Sequence, residues 1–252
     1  MPIVAYAAVH SGDAPPDRRR AVTVAAVILS ATPEGALREI DGRPLVRRLV
    51  EVAWAGGAVP IVVVCADPDG AVAAALAGAQ VTLAAPAPAE GGPVAQICRG
   101  MDVARSAVVE TDAAIIWPAR MAWLDPETIT SLIEAHGIDH EPIVRPAFEG
   151  VPGWPALLPI AHLELLRGLA ADRMPDELLD DLAAVGVPAR ILEVGDPGTA
   201  HDIATSRADL PPYAGPPQPA SGHVYEWGSA AGEEADDAPL PGPALAPWEA
   251  AT

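Results

Sequence analysis

The chain has 252 residues, half of them hydrophobic, and a formal net charge of −19 at pH 7. This length predicts one domain of about 200 residues with flanking segments. The acidic charge disfavours nucleic acid and anionic membranes as partners, because both bind cationic surfaces. All 15 basic residues are arginine, which excludes every mechanism that needs a lysine side chain.

The cysteines and the hydrophobic runs bear on the cellular location. Cys65 and Cys98 are far apart in the sequence and lack a C-x-x-C spacing, which favours two reduced thiols. The arginine run at 18–20 follows the short apolar start instead of preceding it, unlike the order in a signal peptide. No run approaches the ~18 apolar residues that a membrane-spanning helix needs. We therefore expect a cytoplasmic protein that does not bind membranes.

Strand-like and helix-like periodicities alternate along the chain. Residues 1–20 are predicted to be a flexible arm, and the apolar, β-branched run at 22–29 a strand buried on both faces, followed by a loop at 30–35. Further strands are predicted at 60–65, 81–83, 112–117, within 141–154 and at 189–194, and helices at 45–55, 68–77, 94–105, 125–135, 159–169 and 175–185. This alternation predicts a three-layer α/β/α, Rossmann-like domain with a mostly parallel sheet over residues 21–210.

The composition changes after residue 210. Residues 211–252 are rich in Pro, Gly and Ala, carry several acidic residues and contain no arginine. Such a segment buries too little apolar surface to fold alone, so we predict a disordered acidic tail. The aromatic residues of this tail, among them Tyr225, Trp227 and Trp248, favour docking to a protein partner as an alternative.

Several segments resemble, in the right order, the MobA-like NTP transferase family. They are A-A-V-I-L at 25–29, I-D-G-R-P-L-V at 40–46, L-D-P-E-T-I at 124–129, P-I-V-R-P at 142–146 with G-W-P at 153–155, and the closing segment 194–210. The resemblance implies a nucleotide-diphospho-sugar transferase-like fold. It also implies Mg²⁺-dependent transfer of a nucleotidyl group from CTP or GTP to a phosphorylated cofactor such as molybdopterin.

The chain differs from that family at the positions that bind the metal ion and the phosphates. Arg120 occupies the position of the family's metal-binding aspartate, and of the two closing aspartates only Asp202 remains, since Ala204 replaces the other. The first loop lacks the family's glycine, arginine and lysine, and Arg38 is the basic residue that follows it. The Arg120 guanidinium is predicted either to bind a phosphate directly or to pair with Asp202, Asp112 or Asp125.

The resemblance also implies where a nucleotide would be contacted. Gly92 and Gln96 fall in the segment that contacts the base in the family, and Trp154 replaces a family histidine, where it either stacks on a ligand ring or fills the pocket. The predicted nucleotide-binding residues are Leu29, Ser30, Ala31, Gly35, Arg38, Gly92, Gln96 and Trp154.

Three functions remain open from the sequence. The first is a pseudoenzyme that binds a nucleotide, a pterin-type cofactor phosphate or a protein. The second is an active transferase that holds Mg²⁺ between Asp202 and Asp112, and the third is an interaction module acting through residues 211–252. No metal or cofactor is predicted except Mg²⁺ for the active enzyme. A zinc site at His136 and His140 is not expected, because Gly137 is predicted to end the helix between them.

Overall fold

The structure, a computed structural model, describes residues 22–217. The predicted arm at 1–20 and the tail beyond residue 217 therefore lie outside the described residues. The strands are β1 Thr23–Leu29, β2 Glu39–Ile40, β3 Arg43–Pro44, β4 Ile61–Val64, β5 Thr82–Ala84, β6 Thr111–Pro118, β7 Ile143–Phe148, β8 Val151–Pro152, β9 Ala156–Pro159 and β10 Ala189–Glu193. The helices are α1 Pro33–Leu37, α2 Leu45–Ala55, α3 Ala71–Ala75, α4 Gly92–Ala107, α5 Pro126–Ile138, α6 Leu163–Arg167 and α7 Pro175–Ala184.

Eight strands form one mixed sheet in the order β10-β7-β9-β6-β1-β4-β5, with β8 paired to β7. The pairs β1–β4, β1–β6, β4–β5 and β7–β10 are parallel, and β9 runs antiparallel to both of its neighbours. Helices α4, α6 and α7 contact one another, as do α2 and α5, and both α2 and α4 contact β1. Helices thus cover both faces of the sheet, and the predicted fold class is confirmed.

The central position of β1 follows from its sequence. Residues Ala25 to Ile28 have no exposed surface, as expected for a continuous apolar strand between two parallel neighbours. On one face, α4 approaches so closely that a Cβ at Gly100 would lie 2.1 Å from Cγ1 of Val27. Leu29, the last residue of β1, pairs with Val64 of β4 and Pro118 of β6. Three strands therefore end together at one edge of the sheet.

Some elements differ from the sequence prediction. The loop after β1 contains the short helix α1, and the predicted helix at 159–169 is a 3₁₀ turn at Ile160–His162 followed by α6. Strand β9 was not predicted. Helix α5 continues through Gly137 to Ile138, so the prediction that this glycine ends the helix was wrong. Within the described residues, none of the helices combines the length and apolarity that crossing a bilayer requires.

The first residues of the predicted tail lie against the sheet domain. The amide nitrogen of Ala214 donates a hydrogen bond to the carbonyl oxygen of Gly195 at 2.8 Å, and the Tyr213 hydroxyl donates to the carbonyl oxygen of Pro216 at 2.9 Å. Burial raises the pKa of the Tyr213 hydroxyl, with nearby carboxylates such as Asp125 adding to the effect. Residues 211–217 are thus attached to the domain by hydrogen bonds.

Candidate functional site

A cavity of about 320 Å³ lies at the sheet edge where β1 and β6 end. Six predicted site residues line it, namely Leu29, Ser30, Ala31, Gly35, Arg38 and Arg120. The edge itself is held by main-chain hydrogen bonds, from the amide of Ala119 to the carbonyl oxygen of Leu29 at 2.9 Å and from Ser30 to Val64 at 3.1 Å. This position, outside the carboxyl ends of parallel strands, is where open α/β sheets bind ligands.

The first loop owes its shape to a local capping arrangement. The hydroxyl oxygen of Thr32 accepts a hydrogen bond from the amide of Gly35 at 3.1 Å, and Pro33 occupies the first helical position of α1. The Ser30 hydroxyl donates to the carbonyl oxygen of Thr32 at 3.0 Å. Thr32 also lines the cavity but was not among the predicted residues. The Thr-Pro pair, which favours an N-cap followed by a helix start, is the signal that identifies it.

Arg120 and Asp202 meet at the mouth of this cavity. Nη1 of Arg120 lies 3.8 Å from Oδ2 of Asp202, and the two side chains are 49% and 35% exposed. An ion pair with this exposure contributes at most about 1 kcal/mol. The second oxygen of the Asp202 carboxylate, Oδ1, accepts a hydrogen bond from the amide of Ala204 at 2.9 Å. Of the three predicted partners for Arg120, the structure pairs it with Asp202.

The segment around Asp202 is fixed to the loop after β6. The amide of Ile203 donates to the carbonyl oxygen of Arg120 at 2.8 Å, and the indole nitrogen of Trp123 donates to the carbonyl oxygens of Asp202 and Thr205 at 3.1 and 3.0 Å. These bonds place the side chain of Ile203 in the cavity wall. Sequence reasoning did not find Ile203, because its contacts are with residues about 80 positions earlier and leave no local signal.

The residues present do not fit the divalent metal that the fold family implies. Mg²⁺ takes oxygen ligands, usually including one or two carboxylates, but none of the described residues that line the cavity is Asp or Glu. Asp202 at the cavity faces the guanidinium of Arg120, a competing cation. Asp112 accepts a hydrogen bond from the amide of Thr23 at 3.4 Å. It therefore lies at the other end of β6, about 20 Å from the cavity at ~3.3 Å per strand residue. This separation does not fit a metal held between Asp202 and Asp112.

Three predicted nucleotide contacts lie outside this cavity's lining. Gln96 makes two hydrogen bonds of 2.9 Å to the main chain of Ala87 and so shapes the loop before α4. A Cβ at Gly92 would lie 1.8 Å from the carbonyl oxygen of Ala171. The Trp154 ring is buried, and its nitrogen donates to Oδ1 of Asp176 at 2.9 Å. Each of the three has a packing or hydrogen-bonding role, and their contact with a nucleotide stays a prediction.

Cys65 follows directly after β4, close to the cavity. Burial raises the pKa of its thiol, against a smaller lowering effect of a hydrogen bond with Ser30, and the sulfur contacts the carbonyl oxygen of Ala66 at 3.2 Å. The thiolate is the nucleophilic form, and burial of Cys65, which is not among the residues lining the cavity, disfavours that form. Covalent catalysis through Cys65 is therefore not supported.

An open, mostly parallel sheet with helices on both faces and a cavity at the ends of its central strands defines a protein of the Rossmann-like α/β class. The chain belongs to the family of MobA-like NTP transferase domains, whose family model matches residues 34–185. The resemblance found in the sequence is thereby confirmed. The match begins within the first loop and ends before Asp202, so it covers Arg120 but neither of the segments 29–33 and 201–205. No match is found among curated proteins.

Solved structures similar to this chain agree with that class. A nucleotidyl transferase from Methanothermobacter thermautotroptrophicus superimposes with a TM-score of 0.59 at 18% identity, over 72% of this chain and 91% of its own. A 4-diphosphocytidyl-2C-methyl-D-erythritol synthase from Anaerococcus prevotii gives 0.58 at 13% identity, over 74% and 92%. A Mycobacterium tuberculosis protein in complex with manganese gives 0.54 at 16% identity, over 69% and 89%. At these identities the likeness shows the fold.

Proposed function

We propose that this protein is a pseudoenzyme of its family, which binds a nucleotide or a cofactor phosphate at the β1–β6 cavity without a divalent metal and does not transfer the nucleotidyl group. The observation that carries the proposal is the position of Arg120. Its guanidinium lines the cavity and lies 3.8 Å from Asp202, so a fixed cation stands where the family resemblance implies a metal-binding carboxylate. A guanidinium binds phosphate oxygens through its planar set of N–H donors.

The loss of transfer activity follows from how phosphoryl chemistry is catalysed. Transfer depends almost wholly on positioning and on neutralising the charge of the phosphates, with metal ions bridging their oxygens. This chain has no lysine, and its cavity lacks a carboxylate cluster for a metal within the described residues. Removal of one preorganised electrostatic group typically costs about 10²–10³ in rate. Because this chain lacks both the metal ligands and the basic residues of the family's first loop, we expect negligible transfer of the nucleotidyl group.

The similar structures guide the choice of ligand. One of them is named a nucleotidyl transferase and another a 4-diphosphocytidyl-2C-methyl-D-erythritol synthase. The second name supports cytidine nucleotides as the first probes, with guanosine nucleotides as the family alternative. The manganese complex of the M. tuberculosis protein gives a contrast, because we propose metal-independent binding here. A role with a molybdenum-type pterin cofactor extends the same proposal to a phosphorylated pterin.

Calorimetric titration of the full chain with cytidine and guanosine nucleotides, in EDTA and in excess Mg²⁺, tests the proposal. We expect binding of at least one nucleotide whose affinity changes less than about twofold between the two conditions. Arg120→Ala should weaken it by about tenfold or more, equivalent to ~1.4 kcal/mol. The matched control is Arg105→Ala, an exposed arginine in the last turn of α4, at the opposite end of that helix from the cavity side. Its affinity should equal that of the parent.

Two results would overturn the proposal. Pyrophosphate release from CTP or GTP in Mg²⁺ would show an active transferase. Absence of binding by every nucleotide would remove the nucleotide function, and co-purification of a protein lost on deletion of 218–252 would then favour an interaction module. A protein partner for that segment remains a proposal for which this deletion is the direct experiment.

A further inference from the structure

We infer that the β1–β6 cavity takes a nucleoside monophosphate in preference to a nucleoside triphosphate. This inference rests on the proposed nucleotide function and specifies its ligand class. Three independent properties of the cavity support it: its volume, the attachment of its walls and its supply of positive charge.

The cavity is small for a site of nucleotidyl transfer. Its volume of about 320 Å³ lies at the lower end of the ~300–1,000 Å³ typical of small-molecule sites. Transfer requires room for a triphosphate and for the acceptor at the same time. A nucleoside monophosphate needs less space than a triphosphate together with an acceptor, and a cavity of this volume suits it better.

The walls are attached in a way that resists enlargement. Ile203 forms part of the wall, and its main chain is held by the bond to the carbonyl oxygen of Arg120 at 2.8 Å. The indole of Trp123 holds the carbonyl oxygens on either side of it, those of Asp202 and Thr205. A longer phosphate chain that displaced Ile203 would have to break these hydrogen bonds, and its affinity would fall accordingly.

The positive charge matches one phosphate. The cationic side chains lining the cavity are Arg38 and Arg120, and Asp202 already offsets part of the charge of Arg120. A phosphate monoester carries about −1.5 to −2 charge at pH 7, which two guanidiniums neutralise. Each further phosphate adds negative charge without a further arginine among the described residues of the lining, in a chain whose net charge of −19 already repels anions.

The test compares the affinities of nucleotides that share the same base and differ only in the number of phosphates. Dissociation constants of CMP, CDP and CTP, and of GMP and GTP, are measured in EDTA at low ionic strength with the full chain. We expect the monophosphate of the preferred base to bind at least as tightly as its triphosphate. Arg120→Ala should weaken monophosphate binding by about tenfold, and Arg105→Ala should leave it unchanged.

A second variant tests the size argument without removing charge. Ile203→Ala keeps the main-chain bond to Arg120 and shortens only the side chain in the wall. It should move the ratio of triphosphate to monophosphate affinity toward the triphosphate by about threefold or more. Wild-type affinity that is higher for the triphosphate than for the monophosphate would overturn this inference while leaving the proposed nucleotide function intact. If no nucleotide binds, the proposed function and this inference both fail.

Discussion

The indole nitrogen of Trp123 donates hydrogen bonds to the carbonyl oxygens of Asp202 and Thr205, at 3.1 and 3.0 Å. The same ring lies 5.9 Å from the guanidinium carbon of Arg48 on helix α2, within cation–π range. Arg48 in turn donates from Nε to the carbonyl oxygen of Ala122 at 3.0 Å. Trp123 therefore connects the closing segment of the domain to a helix on one face of the sheet.

Trp123→Phe should lower the free energy of unfolding by about 1–2 kcal/mol. The phenyl ring keeps most of the packing, but two carbonyl oxygens lose their indole donor, and an unmade hydrogen bond in a partly buried site costs an amount of this order. Urea denaturation at neutral pH measures the change as a lower midpoint with an unaltered slope. Trp54→Phe, on the outer side of α2 with 36% of its surface exposed, is the control and should change the midpoint little.

Arg120→Asp should not convert the protein into a transferase. The substitution places a second carboxylate beside Asp202, where the pair with Arg120 now lies at 3.8 Å, but it supplies no cation for the phosphates. Without lysine in the first loop, charge neutralisation remains incomplete. We expect pyrophosphate release from CTP and GTP in Mg²⁺ to stay at the background of the unsubstituted chain. Nucleotidyl transfer gained by this single change would mean that the basic residues of the family's first loop are dispensable for the reaction.

Gly100→Ala should destabilise the domain by about 1–3 kcal/mol, the usual cost of overpacking a core. Its new Cβ would lie 2.1 Å from Cγ1 and 3.3 Å from Cβ of Val27, a stiff β-branched side chain in the central strand. Thermal unfolding of the parent and the variant measures this loss of stability as a lower midpoint temperature.

Gly137→Ala is the matched control for Gly100→Ala. Gly137 also lies within a helix, but the nearest atom to its Cβ is Cγ2 of Val22 at 3.9 Å. Alanine has a higher helix propensity than glycine, so this change should stabilise by up to ~1 kcal/mol. Equal effects of the two substitutions would contradict the close helix–strand contact at Gly100.

Acidification should weaken the fold through His136. Its ring is buried, its two nitrogens have no hydrogen-bond partner among residues 22–217, and His140 lies 4.9 Å away between ring centroids. Burial, and then the charge of His140, lower the pKa of His136, while Asp112 and Asp139 act in the opposite direction. The unfolded chain therefore binds the proton more readily than the folded one. The stabilisation by neutral His136 is complete above the unfolded pKa of about 6.5 and is lost as the pH falls toward the folded pKa.

Denaturation of the parent and of His136→Leu at pH 7.5 and 5.5 measures this contribution. The parent should lose stability between the two pH values, and the variant should lose less. His162→Leu is the control, because His162 is bonded to the carbonyl oxygen of Glu141 at 2.7 Å on the surface. It should retain the parent's pH dependence, and an identical slope in all three chains would exclude His136 as the cause.

The fold was predictable where one strong local pattern decides the structure. The apolar run at 22–29 forms the central strand, and the Asp-Pro-Glu sequence at 125–127 begins α5, with Asp125 accepting from the amide of Glu127 at 3.1 Å. Strand β9 was missed because it follows Pro155, ends in Pro159 and lacks the alternation of a half-buried strand. Its place between β6 and β7 is determined by tertiary pairing, which has no local signature.

The site was predictable in part for the same reason. Leu29, Ser30, Ala31, Gly35 and Arg38 belong to one contiguous loop and helix, so a single resemblance places them together. The pairing of Arg120 with Asp202 was one of three alternatives, because spacing in sequence does not determine which carboxylate a long side chain reaches. Ile203 could not be foreseen, since only the assembled loops bring it to the cavity.

The contact between Gly100 and Val27 also bears on how a ligand would reach the cavity. With no side chain between them, α4 and β1 are too closely interlocked to slide independently, because packed cores deform little. Residues 201–205 are instead held to Arg120 and Trp123 by hydrogen bonds. For the ligand binding proposed above, we therefore expect this segment, rather than α4 or β1, to be the part of the cavity that adjusts.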